Sequence, residues 1–205
     1  MEFKKFSAGA YSYGSSKPNC NILELKNQGI TNVNFEDSQL TQHILNPFHE
    51  NNQSINRMLE VLAVCHTVVV EKREGKVLYN ASSPDELALV NGAKYLGYNF
   101  KARDEDDNIV VEVGDKDQKY KLLNVIEFNS TRKRMTVIVR SQDGKIRVMC
   151  KGADSIILPR LNSKAQHVKV NEKYLEHYSK EGLRTLLIAE KELSEEEYQA
   201  WNLKY

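Results

Sequence analysis

The chain has 205 residues, 40% of them apolar, and sets 29 Lys and Arg against 28 Asp and Glu for a formal net charge of +1. That length buries a proper core without disulfide or metal staples and suits one domain better than two. The balanced charge excludes a protein that holds nucleic acid by a strongly basic surface, and ten Gly with four Pro exclude a low-complexity or collagen-like chain.

Three cysteines, Cys20, Cys65 and Cys150, show no metal-type pair spacing. An odd number closes no complete disulfide set, so three reduced thiols are expected. The best apolar stretch, residues 61–70, is interrupted by Cys65, His66 and Thr67 and falls short of the roughly 20 residues a bilayer crossing needs. The N-terminal Met-Glu-Phe-Lys-Lys-Phe lacks the apolar run of a signal peptide. Sequons begin at Asn52, Asn80 and Asn129, and carry no meaning in a cytosolic chain.

Residues 1–50 are rich in Asn, Ser and Gln and weakly periodic, which predicts a looser region, mostly loop, with a short strand over 21–25. Residues 51–205 carry the better pattern. Ile55, Met58, Leu59 and Leu62 follow i, i+3, i+4, i+7 and define one helix face. His66, at its end, reads as a core or capping histidine ahead of a catalytic one. Residues 68–71 and 76–79 flank Gly75 as a short hairpin. Ser83-Pro84-Asp85-Glu86 opens a helix, with Ser83 as N-cap, Pro84 in the first turn and Glu86 closing a capping box. Leu89, Ala93 and Leu96 form its buried stripe and Gly97 its stop.

Strands are predicted over 98–103, 109–113 and 120–128, then over 135–140 and 145–151 about the hairpin turn Ser141-Gln142-Asp143-Gly144. A short helix opens at Asp154, and another spans 171–180 and stops at Gly182. A strand covers 183–190, and a second capping box, Ser194 with Glu197, starts a terminal helix bearing Tyr198 and Trp201. Consecutive strands on short turns imply a single α+β domain over residues 1–205, built on a twisted, mainly antiparallel sheet flanked by helices.

No phosphate-loop, dinucleotide, zinc-protease or nucleophile-elbow motif is present. Three segments stand out. In Phe128-Asn-Ser-Thr-Arg132-Lys133-Arg134-Met135, cations adjoin an aromatic ring, the pairing a nucleotide needs for base and phosphates. An exposed basic turn beside a core Phe gives the same pattern. In Lys151-Gly152-Ala153-Asp154, a strand ends on a cation and Gly152 admits close backbone approach of a ligand; an ordinary surface Lys before a turn Gly reads equally well. In Glu181-Gly182-Leu183-Arg184-Thr185, an Arg enters an apolar strand, which demands a phosphate, a ribose oxygen or a carboxylate such as Glu127.

These segments, with Leu62-Ala-Val-Cys65-His66-Thr67-Val68, Ser83-Pro84-Asp85-Glu86-Leu-Ala-Leu-Val90 and Glu192-Leu-Ser-Glu-Glu-Glu-Tyr198, resemble in order and spacing the nucleotide-binding domain of P-type ATPases. Within that family they are most similar to the phospholipid-transporting, or flippase, branch (P4). The resemblance is strong from about residue 55 to 205 and looser at the start, where Phe3-Lys4-Lys5 and Tyr13-Gly14 are similar to the sequence just after the phosphorylation motif.

The resemblance implies an ATP site. Phe128 stacks on adenine, Glu86 accepts from its amino group or shapes the pocket, and Lys151 with Gly152 lines the deep end. Ser130 and Lys133 lie near ribose and phosphates, and Arg184 and Thr185 hold the phosphate side. It assigns no catalytic residue and no metal ligand to this chain; Mg²⁺ arrives with ATP. The implied partners are the phosphorylation and actuator domains of the same polypeptide, an accessory membrane subunit and an autoinhibitory tail, with no nucleic acid. The setting is a cytosolic domain of an integral membrane protein. The family's acceptor motif Asp-Lys-Thr-Gly-Thr, its actuator loop, its Mg²⁺ hinge motif and its membrane helices are not in this sequence. The expectation is therefore an excised domain that binds and orients ATP without hydrolysing it. The rival readings are the same domain from a cation pump, and a regulatory docking module that no longer binds nucleotide.

Overall fold

A computed structural model describes residues 1–16, 18, 20–73 and 76–205. Its elements run β1 (Phe6–Ala8), β2 (Tyr11–Tyr13), α1 (Ile22–Asn27), α2 (Ser38–Leu45), α3 (Asn52–Val64), β3 (Val69–Arg73), β4 (Lys76–Asn80) and α4 (Pro84–Tyr95). Beyond these lie β5 (Tyr98–Arg103), β6 (Asn108–Val113), β7 (Lys116–Ile126), β8 (Arg134–Arg140), β9 (Ile146–Gly152), α5 (Asp154–Ile157), α6 (Val168–Lys180), β10 (Leu187–Leu193) and α7 (Glu195–Asn202).

Strands β5 to β10 form one sheet in the order β10-β9-β8-β7-β6-β5, with every neighbouring pair antiparallel. The short connections explain the order, since a tight turn returns a strand beside its predecessor. In the β8–β9 turn, Gly144 takes φ 80° and its amide donates to the Ser141 carbonyl at 2.9 Å. The predicted hairpin of β3 and β4 is present, but Gly75 in its turn lies outside the described residues.

Strand β8 is buried on both faces, with Met135, Val137 and Val139 on one and Thr136 and Ile138 on the other. On one side lie Ile55, Leu59 and Leu62 of α3 and Val90 and Ala93 of α4, packed with Phe100, Ile109, Val137 and Met149. On the other, Tyr198 of α7 packs with Ile138 and Ile146, flanked by Val148 and Trp201. Phe3, Phe6, Tyr13, Phe35 and Leu40 from the first fifty residues belong to the same large core. Gly92 of α4 makes room for them, because a Cβ there would stand 2.6 Å from the Phe3 ring.

Several local expectations are corrected. Residues 21–25 are no strand: Asn21 caps α1 by accepting from the Glu24 amide at 3.2 Å. Ser83 and Pro84 do open α4, yet the capping box does not form, because Glu86 is turned into the interior. Leu89 and Leu96 are only half-buried, whereas Ala88, Val90, Asn91, Gly92 and Ala93 are buried. The last strand begins at Leu187, so residues 183–186 are loop. Strand β7 ends at Ile126 and leaves Phe128 beyond it.

His66 is a buried cap. Its Nδ1 accepts from the Val68 amide at 3.1 Å, which places the proton on Nε2, 2.9 Å from the Ala63 carbonyl. Among the described residues no helix is long and apolar enough to cross a membrane.

Candidate functional site

The singled-out segments meet at one end of three adjacent strands. In β9, Gly152 lies opposite Arg134 of β8 and Leu187 of β10. The loop 127–133 therefore enters β8, residues 153–154 leave β9, and the loop 183–186 enters β10, all at the same edge. The N-terminus of α4 closes over this edge through two ion pairs.

The first pair is buried. By strand alternation Lys151 shares a face with Met149, which is fully buried, so its ammonium points inward rather than along the surface. Lys151 Nζ donates to Glu86 Oε1 at 3.0 Å, with the two side chains 8% and 11% exposed. Glu86 Oε2 accepts from the Thr67 hydroxyl at 2.8 Å and from its amide at 3.4 Å. Burial pushes the Glu86 carboxyl up, but the Lys151 charge and these hydrogen bonds outweigh it and leave the group below the usual glutamate range. Glu86 is therefore an anion held by a cation, which is how a buried carboxylate is tolerated.

The second pair is open to solvent. Arg184 Nη1 lies 3.2 Å from Asp85 Oδ2, and the arginine side chain is 70% exposed. Its carboxylate partner is thus Asp85 and not Glu127, and it stands on a loop and not in an apolar strand. Consecutive acids in the first turn of α4 hold the two cations that flank the site. Thr185 is half-buried in the same loop.

The loop before β8 is braced from within. The Arg132 guanidinium donates to the Glu127 carbonyl at 2.8 Å, and Asn129 Oδ1 accepts from the Arg132 amide at 2.7 Å. Lys133 takes φ 51°, and its carbonyl accepts from the Ala153 amide at 3.0 Å. This bracing leaves the Phe128 ring 60% exposed, with Ser130 and Lys133 exposed beside it. Gly152 serves this loop: a Cβ would stand 2.6 Å from the Lys133 carbonyl oxygen. A close backbone approach at Gly152 is made by residues 133–134.

Sequence reasoning assigned no role to Thr67 or Asp85. Thr67 is separated from Glu86 by the β3–β4 hairpin, and nothing local to either residue signals the contact. Among the described residues, no group of three or more His, Cys, Asp or Glu gathers as a metal site. Two surface hollows of about 380 and 760 Å³ lie elsewhere, one lined by Met1, Leu25 and Val33, the other by Leu158, Ala165 and Val168. Neither touches a residue of this site. Buried charge and an exposed ring mark it out.

Residues 54–204 match the family of the P-type ATPase cytoplasmic domain N, and the chain belongs to that family. Its relatives narrow the branch. It is 41% identical over 208 residues to phospholipid-transporting ATPase DRS2 of Saccharomyces cerevisiae, covering 100% of this chain and 15% of that protein. It is 34% identical over 215 residues to phospholipid-transporting ATPase IC of Xenopus tropicalis, covering 100% and 17%. It is 48% identical over 155 residues to phospholipid-transporting ATPase C887.12 of Schizosaccharomyces pombe, covering 75% and 12%. The chain thus spans under a fifth of the length of these relatives.

Proposed function

We propose that this chain binds ATP and presents its γ-phosphate to an aspartate in a separate phosphorylation domain, as the cytosolic nucleotide-binding part of a phospholipid-translocating P-type ATPase in a membrane. The observation that carries the reading is the buried Glu86–Lys151 pair at the strand end that the loops bearing the exposed Phe128 and Arg184 also adjoin.

Each residue has a task. Phe128 offers a free π-face, and base–aromatic stacking is worth about 1–3 kcal/mol. A carboxylate has about four acceptor positions. Three on Glu86 are taken by Lys151 and Thr67, which leaves one on Oε1 for the amino group of adenine. Lys151 keeps that carboxylate ionised at the deep end of the base site, against Gly152. Ser130 and Lys133 face ribose and phosphates. Arg184, with Thr185 beside it, exchanges or shares Asp85 with a phosphate oxygen, a contact that suits the guanidinium fork. Mg²⁺ enters on the triphosphate and no side chain here is assigned to it. Positioning is the whole contribution of this chain, since the acceptor motif is not in its sequence.

The partners are the phosphorylation and actuator domains of the same polypeptide. For the whole transporter they include an accessory membrane subunit and an autoinhibitory tail, whose docking a pull-down with and without nucleotide tests. The phospholipid-transporting relatives favour lipid transport over cation pumping, and the intact Phe, Glu, Lys and Arg set favours nucleotide binding over a docking role alone.

ATP titration monitored by calorimetry and NMR is the test. The expected result is weak binding with shifts at Phe128 and Lys151, and a loss of about tenfold or more in affinity for Phe128→Ala. Lys151→Ala should lose nearly as much. Shifts at neither residue overturn the reading, and ATP turnover by the clean chain contradicts the positioning role.

A further inference from the structure

Helix α6 lies on the β1–β2 hairpin through a polar stripe. Asn171 Nδ2 donates to the Gly9 carbonyl at 2.9 Å and the Tyr174 hydroxyl to the Ala10 carbonyl at 3.0 Å. The buried Tyr178 hydroxyl donates to the Phe6 carbonyl at 3.0 Å and lies 2.5 Å from Ser12 Oγ. Glu181, at the helix end, accepts from Lys5 Nζ with both oxygens, at 2.8 and 2.7 Å. Positions 171, 174, 178 and 181 fall at i, i+3, i+7, i+10, a single helix face.

The last contact differs in kind from the others. The Lys5 side chain is only 7% exposed, against 28% for Glu181, and Lys5 also donates to Ser16 Oγ at 2.9 Å. Lys5 holds the Glu181 carboxyl below its usual range. A carboxylate at a helix C-terminus faces the negative end of the helix dipole and is unfavourable there unless a cation neutralises it. Lys5 supplies that cation from the far N-terminal end of the chain, and His177 Nε2, one turn back and mostly exposed, lies 3.0 Å from Glu181 Oε1.

The phosphate side of the site begins directly after Glu181. The chain turns at Gly182 with φ 76°, and the Gly182 and Leu183 amides donate back to Ser179 and Tyr178 of α6, each at 3.0 Å. The loop then carries Arg184 and Thr185 before joining the sheet at Leu187. The helix end fixes where that loop starts.

We propose that Lys5 and Glu181 are a positioning pair: the β1–β2 hairpin, through α6, sets the loop that places Arg184 and Thr185 against the phosphates. The proposal rests on the nucleotide reading above. Without Lys5 the Glu181 carboxylate repels the carbonyls of its own helix end, and the Gly182 turn shifts with it.

The experiment measures ATP and adenosine affinities of this chain and of K5M, K5R, E181Q and K5M/E181Q, with thermal melting of each. Lys5→Met and Glu181→Gln should each weaken ATP about threefold to tenfold, the size that contacts outside a ligand site contribute, with adenosine changed less than about twofold. Lys5→Arg should restore ATP affinity, and the double variant should be no worse than the weaker single one. If Lys5→Met does not fold, Glu181→Gln carries the test, because its site is partly exposed. Equal weakening of ATP and adenosine, or unchanged ATP affinity in both single variants, overturns the pair's role. A wild-type chain that binds neither ligand overturns the nucleotide reading itself, and this inference with it.

Discussion

Glu86 and Phe128 are both assigned to the base site, yet they differ in what they owe the fold. Phe128 is mostly exposed, so Phe128→Ala should leave the unfolding free energy unchanged to within about 0.5 kcal/mol while ATP affinity falls. Glu86→Gln leaves Lys151 buried beside a neutral partner and should cost about 3 kcal/mol, read by denaturant unfolding. Because the folded Glu86 carboxyl titrates below its ordinary value near 4.5, its contribution is present above that pH and is lost as pH falls through the lower folded value. The presence of a cation and an acid was legible from residue types alone. That Glu86 abandons its helix cap for Lys151, 65 positions away, was not, since no local pattern records a contact of that range.

At the scale of elements, motifs that close within one turn were legible and longer choices were not. Ser194 and Glu197 form the predicted capping box of α7: the hydroxyl accepts from the Glu197 amide at 3.1 Å and the carboxylate from the Ser194 amide at 2.9 Å. Ser194→Ala should cost about 1 kcal/mol, a shift in melting temperature that leaves ATP binding alone. The strand expected from residue 183 starts four residues later, because the Gly182 turn and the Asp85–Arg184 pair draw that segment off the sheet. Gly152→Ala should act on two elements at once. Its Cβ meets the Lys133 carbonyl and the Arg134 backbone, so about 1–3 kcal/mol of stability and the ATP affinity of the Phe128 loop should fall together. Loss of stability with affinity intact would separate the loop from the site.

At the scale of the whole molecule, acidity is the informative variable. Burial holds the His66 imidazole at about 3 against an ordinary value near 6.5, so between those values the unfolded chain binds the extra proton and stability falls as pH falls. His43, lowered by burial and by the His49 ring stacked 3.7 Å away, acts in the same direction. Unfolding free energy measured from pH 7 to 5, before the carboxylates titrate, should decline, with His66 contributing up to about 1.4 kcal/mol per pH unit. A flat profile would mean that His66 is not held neutral.

Periodicity, turn residues and caps were enough to identify an antiparallel α+β domain, because each acts over a few neighbouring residues; the family was legible only as a resemblance of short motifs in order. The corrections fall where a distant partner competes with a local preference. Sheet register brings Lys133, Gly152 and Leu187 to one edge, and packing of α4 then gives Asp85 and Glu86 their cations. The near-neutral charge of +1 thus conceals paired charges assembled from remote parts of the chain. Burial and Coulomb attraction depend on distance in space, and only the folded chain sets that distance.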